Sequence, residues 1–500
     1  MADTQTQQYT ARKDWKLLVN GQQTDATSGE TFDVINPAIN ETLARVAKAG
    51  KADVDAAVAA AREAFNGKWA RLGAARRGSM LYRVAQIMRE REQDILRIEV
   101  ANSGKAISHA RGELAQAIED FEFFAGAATK IMGRTIPVPN AFLNYTLREP
   151  VGVCALIVPW NYPIMMAAWK LAPALAAGNT VILKPASATP LTAILLGEIC
   201  QEAGIPAGVV NVLPGPGAEI GAYLAEHPGV DKIAFTGETA TGRDIMRRAA
   251  DTLKRVTLEL GGKSPNIVFE DADVAHAVNG SLFAIYYSAG QSCEARSRLF
   301  VHDSIYDRFV EQFAAKTSRL RVGDPMDQAT QVGSLISPKH LERVDGYVRL
   351  GIEEGAQVLA GGKRPGNGLD KGNFYLPTVL AGVDNQARVS QEEIFGPVVN
   401  IMRFSTEAEA VQLANDVVYG LAGTLWTRDL GRAHRVAGQI KSGVVTINTP
   451  FTAFPGLPFG GYKQSGFGRE MGLETLDNYT EVKSVLIYTG ERPMNPMGAE

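Results

Sequence analysis

VGVCALIVPWNYPIMMAAWKLAPALAAGNTVILK, residues Val151–Lys184, is the stretch that decides the fold. It opens on an apolar run, Val153–Val158, and breaks at Pro159, Asn161 and Pro163. It then continues as an Ala- and Leu-rich segment and closes on a second β-like run, Thr180–Leu183. Val151–Trp169 is the one segment long enough to consider for a membrane, but the two prolines and Asn161 interrupt it and Lys170 follows. A buried strand–loop–helix is therefore expected rather than a span. Val209–Leu213 and Lys232–Thr236 are further strand candidates, with helix-like stretches between. Strands that alternate with helices predict a mostly parallel sheet covered on both faces. Lys263-Ser264-Pro265 breaks the pattern, because proline disfavours continuing a helix or a central strand. A second alternating region runs from about Asn266 to Thr449, so the fold class expected is α/β with two doubly wound parallel sheets. A chain of 500 residues exceeds what one hydrophobic core organises, which also asks for more than one domain.

Ahead of this stretch, Leu17–Val19 and Phe32–Ile35 read as short strands between Asn-Gly and Asn-Pro turns. Val54, Val58, Ala61 and Phe65 recur at helical spacing, as do Leu81, Val84, Ile87 and Met88. Thr135–Leu147 and Glu481–Tyr488 are β-like runs outside both alternating regions. Strands isolated in this way often pair beyond their own domain, and a protruding element used between copies of the chain is expected. The apolar share of 45% and net charge of -3 describe an ordinary globular protein with no basic surplus for nucleic acid. Three cysteines, Cys154, Cys200 and Cys293, make no disulfide framework and suit a reducing, cytoplasmic setting. The opening Met1–Gln8 is polar and lacks an apolar signal core. Six histidines fall at no ligand spacing, so no metal is expected.

Two residues carry the chemistry. Glu259 ends an apolar strand-like run and is released by Gly261-Gly262, whereas Cys293 sits in the polar loop Gly290-Gln291-Ser292-Cys293. A thiol can attack a carbonyl, and a carboxylate can activate the water that later frees the product. Phe235-Thr236-Gly237 ends a strand and Gly237–Gly242 opens a helix whose free N–H groups would suit a pyrophosphate. Gly215-Pro216-Gly217 is a second turn of this kind. Neither is G-x-G-x-x-G, and a plain strand-to-helix turn remains open for both. Lys184 ends a strand where open α/β sheets bind ligands, or is simply a solvated terminus.

The chain resembles the aldehyde dehydrogenase superfamily over almost its full length. The matching runs are Pro159–Pro163, Lys184-Pro185, Phe235–Gly237, Leu258–Lys263, Gly290–Cys293, Glu392–Pro397 and Pro458–Lys463. The resemblance implies a Rossmann-like NAD- or NADP-binding domain (1–130 and 149–259), a catalytic domain (260–475) and a bridging β-element (131–148 and 476–500) that builds homodimers or homotetramers. It implies that Cys293 is the nucleophile, Glu259 the general base and Asn161 an oxyanion donor. Lys184 would contact the cofactor ribose and Glu393 the nicotinamide ribose, with Phe395 packed nearby. Trp160, Ser187, Gly217, Phe235, Gly237, Gly242 and Leu260 fall where the family lines the dinucleotide cleft. Tyr162, Met166, Trp169, Tyr287, Glu294 and Phe459 match its aldehyde tunnel. The implied reaction oxidises an aldehyde to a carboxylic acid through a thiohemiacetal and a thioester. Holding a thiol ionised at pH 7 asks for about 2 kcal/mol of local help.

The sequence departs from the pattern at three positions. Ser187 stands where many NAD-specific relatives carry a glutamate that grips the 2′-hydroxyl, so NADP should be tolerated. Glu238 lies beside the expected pyrophosphate position. Glu294 follows the nucleophile; facing the tunnel it would favour aminoaldehydes or betaine aldehyde, and facing Arg296 or Arg298 it would be a structural ion pair. A CoA-acylating relative is the other alternative, and Glu259 speaks against it.

Overall fold

The computed structural model describes residues 12–366, 368–491, 494 and 496–498. The polar opening Met1–Gln8 and parts of the 476–500 segment lie outside them. The first sheet has the strand order Gly466–Phe467, Arg255–Glu259, Lys232–Thr236, Val153–Ile157, Thr180–Lys184, Val210–Val212, Leu17–Val19 and Gln22–Thr24. Its five central strands are parallel, and the flanking ones antiparallel. Val153–Ile157 comes first among the parallel strands and lies in the middle, with later strands added on either side. Such a sheet reverses its winding between Val153–Ile157 and Lys232–Thr236, and ligands bind at the carboxyl ends beside that point. Register brings Lys184 opposite Ile157, Ile157 opposite Phe235, and Thr236 opposite Glu259, so these strand ends form one row.

The connection Pro163–Ala177 explains why this stretch looked membrane-like. Every residue of that helix is buried, because it runs between the sheet and the helices Ala74–Glu90 and Ile107–Ala127. Among the described residues no helix is long and apolar enough to cross a membrane. The second sheet has seven strands in the order Gln357–Ala360, Thr378–Ala381, Val398–Phe404, Arg298–His302, Pro265–Val268, Ala422–Trp426 and Val444–Ile447, all parallel except the first. Residues 260–264 are the whole connection from the first sheet to the second. The strand Gly466–Phe467 returns to pair with Arg255–Glu259, so the 260–475 stretch sends one strand back into the first sheet.

The two isolated β-like runs find each other. Phe142–Pro150 pairs along its full length with Thr480–Tyr488, and Thr135–Ile136 adds a short third strand. Leu143, Leu147, Val482, Leu486 and Ile487 stay exposed on this small sheet.

Candidate active site

Asn161 lies in the loop after the strand Val153–Ile157, just before Pro163 starts the buried helix, and is 6% exposed. Its side-chain amide donates to the carbonyl of Gln291 at 2.9 Å. Its own carbonyl accepts from the Nζ of Lys105 at 2.8 Å. Glu259 is the last residue of its strand and 3% exposed. One of its carboxyl oxygens is buried with no partner among the described residues. Burial, and then the nearby Glu470, push its pKa well above the ordinary carboxylate range, with Lys170 opposing. Both effects make Glu259 a stronger base than a solvated carboxylate.

Beyond Glu259 the chain threads between two other pieces of the site. A side chain at Gly262 would collide with the carbonyl of Cys293, and the Gly262 N–H donates to Glu393 Oε1 at 3.0 Å. Glycine is required there by close approach rather than by conformation. The pKa of Glu393 is raised to about 7 by burial.

The loop that carries Cys293 is strained. Ser288, Ala289 and Gly290 have φ of +51°, +55° and +70°, three consecutive left-handed residues of which two carry a Cβ. Such conformations cost of order 1–3 kcal/mol each and persist only where the surroundings fix them. Gln291 supplies that fixing: it donates to the carbonyls of Ser288 at 3.2 Å and Ser334 at 3.3 Å, and accepts from the Ile336 N–H at 2.9 Å. A Cβ at Gly290 would strike the Gly396 carbonyl. Cys293 follows, half-buried. Local help toward ionisation is not what the site provides. Burial, then the carboxylates of Glu259, Glu294 and Glu393, push the thiol pKa well up.

Cys293 is where two cavities meet. One, of about 480 Å³, is bordered by Trp160, Asn161, Gly237, Glu259, Leu260, Glu393 and Phe395. The other, of about 470 Å³, is bordered by Tyr162, Met166, Trp169, Tyr287, Glu294 and Phe459. Cys293 and Met166 border both.

The first cavity thus gathers five of the expected cofactor residues. Lys184, Ser187 and Gly217 form a separate group outside its walls. The Lys184 Nζ lies 3.6 Å from where a Gly217 Cβ would be, and Ser187 Oγ donates to the Gly215 carbonyl at 2.8 Å. Burial lowers the Lys184 pKa to about 8. Phe235 and Gly242 support the wall from beneath: a Cβ at Gly237 would come within 2.6 Å of the Phe235 ring, and one at Gly242 within 2.6 Å of Leu260. Glu238 stands exposed as the N-terminal cap of the helix Thr239–Ala249.

His340 and Arg343, one turn apart on the helix Pro338–Glu353, also border this cavity and carry no motif that would mark them. The Nε2 of His340 lies 2.7 Å from the Phe395 carbonyl, and Arg343 donates to the Glu393 carbonyl at 2.9 Å. Phe395 itself is left-handed, with φ of +62°. The second cavity likewise recruits His109 and Glu113, on the helix Ile107–Ala127, and Phe451 and Phe454 from a late loop. Glu294 borders the cavity and is also paired: its carboxylate accepts from Arg296 at 2.8 Å and from the Thr452 hydroxyl. The expected ion pair is therefore with Arg296, while Arg298 is spent on Asn385 and three backbone carbonyls. Among the described residues no cluster could hold a metal ion.

The sequence profile of the aldehyde dehydrogenase family matches residues 24–485. The chain belongs to that family. Betaine aldehyde dehydrogenase of Bacillus subtilis is 43% identical over 95% of this chain and 98% of its own length. An aldehyde dehydrogenase of Emericella nidulans is 45% identical over 95% of each. The structure of an NAD+ complex of the Bacillus cereus aldehyde dehydrogenase superposes with a TM-score of 0.95, at 43% identity, over 97% of this chain and 99% of that one.

Proposed function

We propose that this protein oxidises an aldehyde to a carboxylic acid with NAD or NADP, by covalent catalysis at Cys293. The observation that carries this reading is the thiol placed between two cavities, one bordered by Asn161 and Glu259 and the other by aromatic side chains. The first cavity fits a nicotinamide dinucleotide. It lies at the sheet's reversal point, Gly237 lets its wall pack closely on the Phe235 ring, and the helix Thr239–Ala249 turns its N-terminus toward it. Trp160, Glu393 and Phe395 would hold the nicotinamide end, and Lys184 the adenosine ribose. When bound, the oxidised nicotinamide supplies the hydride acceptor.

The sulfur of Cys293 adds to the aldehyde carbon, and the oxyanion that forms takes hydrogen bonds from the Asn161 amide and the Cys293 backbone N–H. Hydride leaves that carbon and a thioester remains. Glu259 takes a proton from water, whose oxygen attacks the thioester to release the acid and restore the thiol. Asn161→Ala should lose on the order of 100- to 1000-fold in kcat, the usual cost of one oxyanion donor; an undiminished kcat would reject its role. The thiol holds its proton tightly, so the attacking thiolate is scarce at neutral pH and grows as pH rises. kcat/KM should therefore climb from about pH 6 to about pH 9, and a flat profile contradicts this.

Ser187 is engaged with Gly215, leaving no carboxylate there to repel a 2′-phosphate. The ratio of kcat/KM for NAD over NADP should stay below about 100-fold, equivalent to roughly 2.7 kcal/mol; a larger preference refutes the assignment. In the second cavity Glu294 pairs with Arg296, and Glu113 with Lys105. Its charges are thus matched while its walls are aromatic, which favours neutral aromatic or medium-length aliphatic aldehydes. A cationic, betaine-like aldehyde is the second reading, supported by those same rings. An aldehyde panel varied in length and charge, run with and without CoA, separates these substrates and tests for acyl transfer to a thiol. Apolar side chains exposed on both faces of the small sheet support a homodimer or homotetramer, and three unpaired cysteines suit a cytoplasmic enzyme.

A further inference from the structure

Lys105 belongs to no motif, yet it is the only cation in contact with the backbone of Asn161 among the described residues. It follows Gly104, the left-handed residue ending the helix Glu92–Ser103, and leads into the helix Ile107–Ala127. From that joint its side chain runs inward and is 2% exposed. Its ammonium meets the carboxylate of Glu113, that of Glu99 at 3.7 Å, and the carbonyl of Asn161 at 2.8 Å. It also lies 4.9 Å from the centre of the Tyr162 ring, in the wall of the aldehyde cavity. Two of its donors are hydrogen-bonded, to Glu113 and to the Asn161 carbonyl, while Glu99 stands at ion-pair distance only.

Two carboxylates and an ammonium at such depth are a poor way to stabilise a fold, because desolvation offsets most of their attraction. What the cluster does achieve is local. The loop Val158–Tyr162 has no strand partner at Trp160 or Asn161. The Trp160 carbonyl is held by Thr189 at 3.3 Å and the Asn161 carbonyl by Lys105. The Asn161 side chain gives one N–H to Gln291, so its other N–H is the one left for an oxyanion. The amide is thus fixed from both ends: Gln291 holds the side chain against the nucleophile loop, and Lys105 holds the backbone. With Lys105 removed, the loop could pivot about the Gln291 contact, and displacements near 1 Å cost on the order of 100-fold in rate.

We infer that Lys105 is a positioning residue for the reaction, acting through Asn161. This rests on Asn161 being the oxyanion donor. Lys105→Met strands two buried carboxylates, so the test uses Lys105→Arg, which keeps the charge and displaces the donors, and Lys105→Met/Glu99→Gln/Glu113→Gln, compared with Glu99→Gln/Glu113→Gln. The readout is the single-turnover rate of reduced-cofactor formation, beside the cofactor Kd. Each Lys105 variant should slow the burst about 10- to 100-fold with Kd changed less than about two-fold. Adding Asn161→Ala to either should slow it no further than Asn161→Ala alone, since non-additivity reports action through one group. Multiplicative losses, or a wild-type burst in folded Lys105 variants while Asn161→Ala is impaired, overturn the inference and leave Asn161 in place. A wild-type burst in Asn161→Ala itself removes both.

Discussion

Cys293→Ala should form no reduced cofactor from any aldehyde, a loss of at least about 10⁴-fold, while binding NAD or NADP as the unaltered protein does. No other group bordering both cavities is a nucleophile: Met166, which does border both, carries a thioether. The variant should also fold. The loop is held by the bonds of Gln291 and the contact of Gly290 with Gly396, none of which involves sulfur. Losing one half-buried sulfur costs roughly 1 kcal/mol or less. Absorbance of reduced cofactor measures the first quantity and fluorescence quenching on cofactor titration the second. Turnover that survives at a tenth of the original rate would show that oxidation proceeds without a covalent intermediate.

Glu259→Gln separates the two halves of the reaction. The amide preserves the shape of the side chain at the end of its strand and removes its basicity. The buried pair of Lys170 with Glu470, which faces it, remains intact. Reduced cofactor should appear as one burst per active site and then nearly stop, with steady-state kcat down about 1000-fold. Intact-mass measurement at that point should find the protein heavier by one acyl group. The pH dependence has a definite sign. The proton affinity of Glu259 is raised by burial, so its basic form gains population as pH increases, and thioester hydrolysis in the unaltered protein should accelerate with it. Undiminished steady-state turnover in Glu259→Gln would assign the base elsewhere.

Much of this site was legible because it sits at strand ends. The alternation from Val153 to Glu259 predicts a parallel sheet, and the strand ends Lys184 and Glu259 do lie along its carboxyl edge, but spacing left Lys184 and Gly237 open as a plain terminus and a plain turn, and the role of Asn161 came from the resemblance alone. Cys293 was legible as a motif, but its loop was not. Only Gly290 hints at left-handed backbone, whereas Ser288 and Ala289 adopt it against their own preference under tertiary constraint. His340, Arg343 and Lys105 were missed for a different reason. Each reaches the site from a helix or helix joint whose sequence reports only amphipathic packing, and their partners are backbone carbonyls 50 or more positions away, which no spacing rule encodes. The β-like runs Thr135–Leu147 and Glu481–Tyr488 were visible in the sequence, and only the resemblance joined them in one element; no local pattern reports the register by which 142–150 pairs with 480–488 across most of the chain.

A sulfur bordering two cavities has a consequence for turnover in the proposed reaction. The dinucleotide would leave through the cavity bordered by Glu259 and Glu393 while the organic chain occupies the aromatic one. Between the redox half and the hydrolytic half the acyl group can stay anchored while the opposite chamber empties. Compounds that plug the aromatic chamber should then compete with aldehyde and leave dinucleotide exchange untouched.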